Sequence, residues 1–192
     1  MKHMTVHEAR SKFLNFLILV MISLGILEAG FQLSDSSIAA AASGPQVVFA
    51  VKCGGGQYTD PSGVLYKGDM NFSGGQTYTT TAPIAGTNDG ILYQSERYGN
   101  FSYNIPVANG SYNVTLKFAE IYAWMKGQRV FSAKIEGREV ITNLDLFDKA
   151  GGKNQAYDLT FPVTVNDGVL TVEFYSSTRD AKVNAILVIS GQ

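Results

Sequence analysis

The chain has 192 residues, 45% of them apolar and only 16% charged, with a formal net charge of −1. That is room for one ordinary domain plus a leader, and neither the charge nor any Lys/Arg cluster suits nucleic acid. Its two histidines, His3 and His7, lie near the start and its one cysteine is Cys53. From residue 44 onward there is thus no His-based triad, Cys/His pair or His-ligated metal site, and an intrachain disulfide is impossible. The residues call for no cofactor.

Residues 1–12 are mildly basic, and Phe13 to Leu27 is an uncharged apolar run of fifteen residues ended by Glu28. Small residues follow, with Ala-x-Ala possibilities in Ala39–Ala42. This is the order of a secretory signal peptide, and the run is shorter than the roughly 20 residues that span a bilayer. An uncleaved signal-anchor, extended through Ala29 to Leu33, and an internal core helix are the alternatives. Either of the first two places the domain, residues 44–192, outside the cytosol. An N-terminal anchor is the one expected contact with a membrane.

Gln46–Lys52 is a nearly continuous apolar run, read as a strand buried on both faces. From Gly54 to Gly90 the chain is rich in Gly, Ser, Thr and Asp, and is expected to be mostly loop with short strands. Phe101, Tyr103 and Ile105 alternate, and Asn109-Gly110 carries a strong two-residue hairpin signal. Tyr112, Val114, Leu116 and Phe118 then alternate with polar neighbours, so that strand has one buried face. The alternation stops at Glu120, and Tyr122 and Trp124 follow on the way to Gly127, placed to line a loop. Phe131, Ala133 and Ile135 precede a turn at Glu136-Gly137. Val140–Leu144 is a further strand, and Asp145–Gly152 is a helical turn or a loop. The next alternating row is Tyr157, Leu159, Phe161, Val163 and Val165, with Pro162 outward as an edge strand tolerates. After the turn at Asn166–Gly168, Leu170, Val172 and Phe174 alternate. Val183, Ala185, Leu187 and Ile189 close the pattern. Short strands with turns about every ten residues, and no amphipathic helix, describe an all-β antiparallel β-sandwich.

All ten tyrosines lie between Tyr58 and Tyr175. A tyrosine joins a flat apolar face to a hydroxyl, which suits half-polar ligands such as sugars. Tyr103, Tyr112 and Tyr157 fall in alternating rows and are expected in the core, as is Cys53. Arg97 and Glu120 are candidates for an ion pair that positions loops. Asn71, Asn100, Asn109 and Asn113 head Asn-x-Ser/Thr sequons and are candidate glycosylation sites.

The ordered segments VKCGGGQYTD (51–60), GGQTYTT (74–80), ILYQSERYGNFSYNIPV (91–107), NGSYNVTLKFAEIY (109–122), GQRVFSAKIEGREV (127–140), LDLFDKAG (144–151) and DAKVNAILV (180–188) resemble the malectin domain family. The resemblance covers roughly residues 46–190. It implies a jelly-roll-like, galactose-binding-like sandwich that binds carbohydrate without catalysis, through aromatic residues at one end. Glucose-containing oligosaccharides or glycans are the implied partner, and the endoplasmic reticulum or another secretory-pathway compartment the implied location. By segment matching the implied sugar contacts are Tyr78, Tyr98, Tyr122 and Asp180. Ala123 stands where the family carries a second aromatic and Trp124 comes one later, making Trp124 a fifth candidate. Thr178 and Arg179 stand where the family has aromatics before the Asp. A glycan-acting hydrolase using a carboxylate pair about 5–9 Å apart, such as Glu120 and Asp180, is the rival expectation. A protein-interaction or adhesion module that has lost sugar binding is the third.

Overall fold

The computed structural model of the protein describes residues 44–191. The expected signal peptide or signal-anchor lies outside the described residues. The strands are β1 (Val47–Lys52), β2 (Tyr58–Thr59), β3 (Leu65–Tyr66), β4 (Phe72–Thr79), β5 (Ser95–Pro106), β6 (Gly110–Ala119), β7 (Val130–Ile135), β8 (Arg138–Asp145), β9 (Ala156–Val165), β10 (Val169–Thr178), β11 (Ala181–Val183) and β12 (Ala185–Ser190). A 3-10 turn spans Gly90–Tyr93, and one short helix, α1, spans Leu146–Ala150. The expected helical turn after Asp145 is therefore present, with Asp145 as its N-cap and Gly151 closing it in the left-handed region.

Two antiparallel sheets make the sandwich. The first has the order β1-β12-β6-β9. In the second, β8, β7, β10 and β5 follow one another, β11 pairs the start of β5, and β4 also pairs β5. Tyr112, Val114, Leu116 and Phe118 of β6 meet Phe101, Tyr103, Ile105, Phe131, Val172 and Phe174 of the other sheet in one core. Pro162 sits exposed on β9, an edge strand, as expected. Tyr103 and Tyr112 are core residues, Tyr157 packs against the core, and Cys53 is fully buried, its thiol pushed well above its ordinary range by that burial.

A second apolar cluster explains the continuous run in β1. Ala50, Tyr66, Ile84, Leu92, Tyr93, Ala119, Ile121 and Ala185 pack on the other side of the first sheet, so Phe49 and Val51 are buried on one face and Ala50 on the other. The covering material is the 53–93 segment. That segment also holds β4, an eight-residue strand where mostly loop was expected. Glycine-rich FSGGQTYT hides strand character, because its residues pair with β5 while every one stays exposed.

Three further expectations change. Asn109-Gly110 is no hairpin: β5 and β6 belong to different sheets, and their apolar rows face each other across the core instead of lying side by side. The Asn166–Gly168 turn likewise carries the chain from β9 to β10 between sheets, and Asn109 Nδ2 donates to Asn166 O at 2.9 Å, tying the two crossovers together. The last strand is in fact two. β11 belongs to the second sheet and β12 to the first, and Ile186 and Val188 face the core while Ala185 and Leu187 face the second cluster. A strand covered on both faces leaves no polar row to set the phase.

The switch residue between them is Asn184, fully buried. Its Oδ1 accepts from Ala119 N at 2.8 Å, and its Nδ2 donates to Tyr93 O and Ser95 O, each at 2.8 Å. Its backbone N–H donates to Lys117 O and its carbonyl accepts from Cys53 N. One side chain thus satisfies three backbone groups where the sheets part. Asn184→Ala leaves all three unpaired and is expected to cost about 2–4 kcal/mol. Urea unfolding checks this as a lowered midpoint at unchanged slope.

Candidate functional site

The pocket starts with a bulge. Between β4 and β5 the register shifts between Gly74 and Gln76, where Gly74 (φ 80°) and Gly75 (φ 72°) take left-handed backbone. A Cβ on Gly75 would sit 2.9 Å from Tyr98 O and 3.1 Å from Arg97 Cγ, so only glycine fits this approach. Beyond the bulge Gln76 faces Tyr98, Tyr78 faces Glu96, and Lys182 of β11 faces Tyr98 from the other side. Directly opposed residues share a face. Tyr78, Glu96, Tyr98 and Lys182 therefore project together, and Arg97 lies on the reverse. Bulges bend a strand and re-aim its side chains, which is how two strand tyrosines reach a ligand-sized recess.

That recess holds about 250 Å³ and is lined by Tyr78, Glu96, Tyr98, Tyr122, Arg129, Arg179 and Asp180. Tyr78 and Tyr122 meet edge to face, ring centres 5.5 Å apart and planes at 88°, a favoured aromatic geometry. Both remain solvent-accessible, Tyr78 at 37% and Tyr122 at 49%. Tyr98 donates its hydroxyl to Gln76 Oε1 at 2.8 Å, which fixes the ring on the strand. Asp180 and Arg179 come from the turn between β10 and β11, with Arg179 in the left-handed region (φ 61°) and its guanidinium carbon 5.8 Å from the centre of the Tyr122 ring.

Beneath this wall lie four buried charges. Arg129 donates to Glu96 Oε1 at 3.1 Å and its Nε lies 3.4 Å from Glu120 Oε2. Lys182 Nζ is 2.5 Å from Glu96 Oε2 and also donates to the Ala119 carbonyl. None of the four is more than 3% exposed. Burial pushes the Lys182 ammonium below its ordinary range, opposed by the attraction of Glu96 and then Glu120. The Glu96–Lys182 and Glu120–Arg129 contacts are ion pairs at angles outside hydrogen-bond geometry, since Glu96 Oε2, Glu120 Oε2 and Arg129 Nε lack hydrogen-bond partners.

Glu120 also shapes the loop that carries Tyr122. Its Oε1 accepts from Tyr122 N at 2.9 Å and from Ala123 N at 2.7 Å. The rest of the loop is tied by Trp124 N to Gln128 Oε1 at 2.9 Å and Gly127 N to Asp145 Oδ2 at 2.6 Å. Glu120 does position a loop, but its cation is Arg129 and not Arg97. Arg97 points to the other face of β5, where it donates to Asp69 Oδ2 at 2.7 and 3.0 Å, donates to Gly74 O and stacks on Phe72.

Of the five candidate binding residues, the fold gathers Tyr78, Tyr98, Tyr122 and Asp180. Tyr78 and Tyr98 stand on strands, where loops were expected. Trp124, 71% exposed, lies outside the pocket lining at the tip of the 121–129 loop. Ala123, one place after Tyr122, is fully buried. The sequence reading missed Glu96, Arg129 and Arg179. The signal for the buried charges was weak: Lys182 lies between Ala181 and Val183 just before an apolar run, while Glu96 is flanked by Ser95 and Arg97 and does not stand out. Among the described residues no group of three His, Cys, Asp or Glu is placed to hold a metal.

A family model described as "Malectin domain" matches residues 47–189. Malectin-A of Xenopus laevis is 34% identical over 151 residues, 74% of this chain and 54% of that protein. Malectin of Homo sapiens is 33% identical over 175 residues, 86% of this chain and 60% of that protein. The chain thus spans little more than half the length of these relatives. Among solved structures, the ANXUR1 extracellular domain of Arabidopsis thaliana superposes with a TM-score of 0.70 at 18% identity, over 76% of this chain and 48% of that one. A β-glucuronidase of Bacteroides uniformis gives 0.66 at 22% identity, over 75% and 18%. These two likenesses concern the fold alone.

If Glu120 holds the loop as described, Glu120→Ala leaves Arg129 with one carboxylate fewer and frees two backbone N–H groups. The expected loss is about 3–5 kcal/mol, with faster hydrogen exchange at the Tyr122 and Ala123 amides. Glu120→Gln keeps the acceptor without the charge and is expected to hold those amides protected while still losing stability.

Proposed function

Because the chain belongs to the malectin domain family, we propose that it binds carbohydrate without catalysis in the pocket walled by Tyr78, Tyr98 and Tyr122, with Asp180 at its rim. The single observation that carries this reading is the convergence of three tyrosines, from three separate stretches of chain, on one recess above a fixed floor. A hexose has an apolar face of C–H groups and a rim of hydroxyls; aromatic rings cover the first and a carboxylate accepts from the second. The orthogonal Tyr78 and Tyr122 offer a ring face and a ring edge, Tyr98 offers a hydroxyl, and Asp180 offers acceptors. At about 250 Å³ the recess falls just below the usual small-molecule range of roughly 300–1,000 Å³. It suits the end of a saccharide chain, and a glucose-containing oligosaccharide or glycan is the proposed ligand. Single sites of this kind bind weakly, so tethering or clustering is expected to raise avidity.

The hydrolase alternative asks for two carboxylates facing the ligand. Glu120 faces away, with Oε1 on two backbone N–H groups and Oε2 beside Arg129. Glu96 is held between Arg129 and Lys182 on the floor. Asp180 then has no carboxylate partner suited to such chemistry in the lining. An interaction module is the second reading, favoured by Trp124 and Met125, which project at 71% and 57% exposure.

A setting in the secretory pathway or outside the cell goes with this function. There Asn100, Asn109 and Asn113, all exposed, are the accessible candidates for glycosylation, while Asn71 is half-buried with left-handed backbone.

Tyr122→Ala is expected to weaken oligosaccharide binding by at least about tenfold and, through loss of the Tyr78 contact, to lower the unfolding free energy by no more than about 1.5 kcal/mol. Calorimetric titration with maltose-type and other glucose oligosaccharides, alongside a product assay, checks it. Undiminished binding by the variant removes Tyr122 from the site, and turnover of the sugar removes the lectin reading.

A further inference from the structure

The recess lining holds two arginines, Arg129 and Arg179, and they differ in their partners. On the floor, two cations, Arg129 and Lys182, are balanced by two carboxylates, Glu96 and Glu120. At the rim stand Arg179 and Asp180, adjacent in sequence and opposite in sign, both lining the recess. Several basic side chains among the described residues have no carboxylate within ion-pair distance, and Arg179 is the one of these that lines the recess, unpaired even with Asp180, whereas Arg129 is paired. Arg179 sits in the turn between two paired strands, its backbone left-handed, its side chain exposed and its guanidinium carbon 5.8 Å from the centre of the exposed Tyr122 ring.

We infer that the saccharide taken by this pocket carries a carboxylate, as a uronic acid residue does, and that Arg179 receives it while Asp180 accepts from the ring hydroxyls. The inference rests on the carbohydrate-binding reading above and narrows its ligand class. A uronic acid differs from the corresponding hexose only at C6, where a carboxylate replaces a hydroxymethyl group. The tyrosine walls serve both sugars alike. A hydroxymethyl group gives the guanidinium a neutral acceptor, whereas a carboxylate gives it a charged, two-oxygen partner that matches its planar fork. The cation also lies against an aromatic ring at a water-accessible edge, so its attraction is expected to be screened by salt.

The test is calorimetric titration of the full chain with two matched disaccharides, one ending in glucose and one in glucuronic acid, at about 0.02 M and about 0.5 M salt. The expected result is tighter binding of the uronate by about tenfold at low salt, with the ratio shrinking at high salt. Arg179→Asn, whose new residue tolerates the left-handed backbone, is expected to bring the ratio to about one. Arg179→Lys is expected to restore part of it, and Arg138→Asn, on β8 outside the pocket lining, to leave it unchanged. Equal affinity for both sugars, or a preference that persists in Arg179→Asn, overturns the inference. Binding of the neutral sugar alone overturns it and leaves the carbohydrate-binding reading standing; binding of neither overturns both.

Discussion

The site depends on a cluster of four buried charges. Glu96 on β5, Lys182 on β11, and Glu120 and Arg129 at the two ends of the β6–β7 connection all meet out of water. Separately, each would be costly to bury; together they neutralise one another. Their value lies in geometry more than in net stability. Because no member can shift without exposing another charge to an apolar surround, the cluster locks the 120–129 connection against β5 and β11. The carboxylate of Glu120 then passes that rigidity to the loop through two backbone N–H groups, and Tyr122 is delivered opposite Tyr78. The wall of the proposed site is pre-formed on strands and on a tied loop, which would limit the ordering cost of taking a ligand.

The same region explains why the last two strands part. Asn184 satisfies backbone groups from Ala119, Tyr93 and Ser95 at the point where β11 and β12 enter different sheets. Lys182, two residues earlier, reaches the Ala119 carbonyl from the other side. Ala119 and Glu120, at the end of the β6 strand, are thus held by neighbours on both sheets. Core packing, the sheet switch and the pocket floor meet within a few residues.

Much of this was legible in the sequence where alternation had a wet side to contrast with a dry one. Strands β5, β6, β7, β9 and β10 read clearly, and their core rows hold. Strand β12 did not, because the 53–93 segment covers its outer face and both rows are apolar or small. Strand β4 was hidden by Gly74 and Gly75, the residues whose left-handed backbone makes the bulge that turns Tyr78 and Tyr98 into the pocket. Asn109-Gly110 announced a turn correctly but could not say that the chain crosses between sheets, since that depends on where both apolar rows point. For the site, the three tyrosines and Asp180 came from segment resemblance, whereas Trp124 was a candidate from its place past the strand end, one residue beyond the family's second aromatic, and stands outside the recess. The partner of Glu120 could not be read, because Arg97 lies on the far face of β5 while Arg129 is brought in at the end of the loop before β7.

We place saccharide binding in the recess between β4, the 121–129 loop and the β10–β11 turn. It is tested most directly by recording backbone amide and tyrosine ring resonances while glucose- and uronate-containing oligosaccharides are titrated in. Saturable shifts centred on Tyr78, Tyr98, Tyr122 and Arg179–Asp180 are expected, with the floor residues Glu96 and Arg129 moving little. Shifts centred instead on the outer recess formed by Ser73, Ser102, Lys134 and Tyr175, or no saturable shifts with any of the sugars, would contradict it.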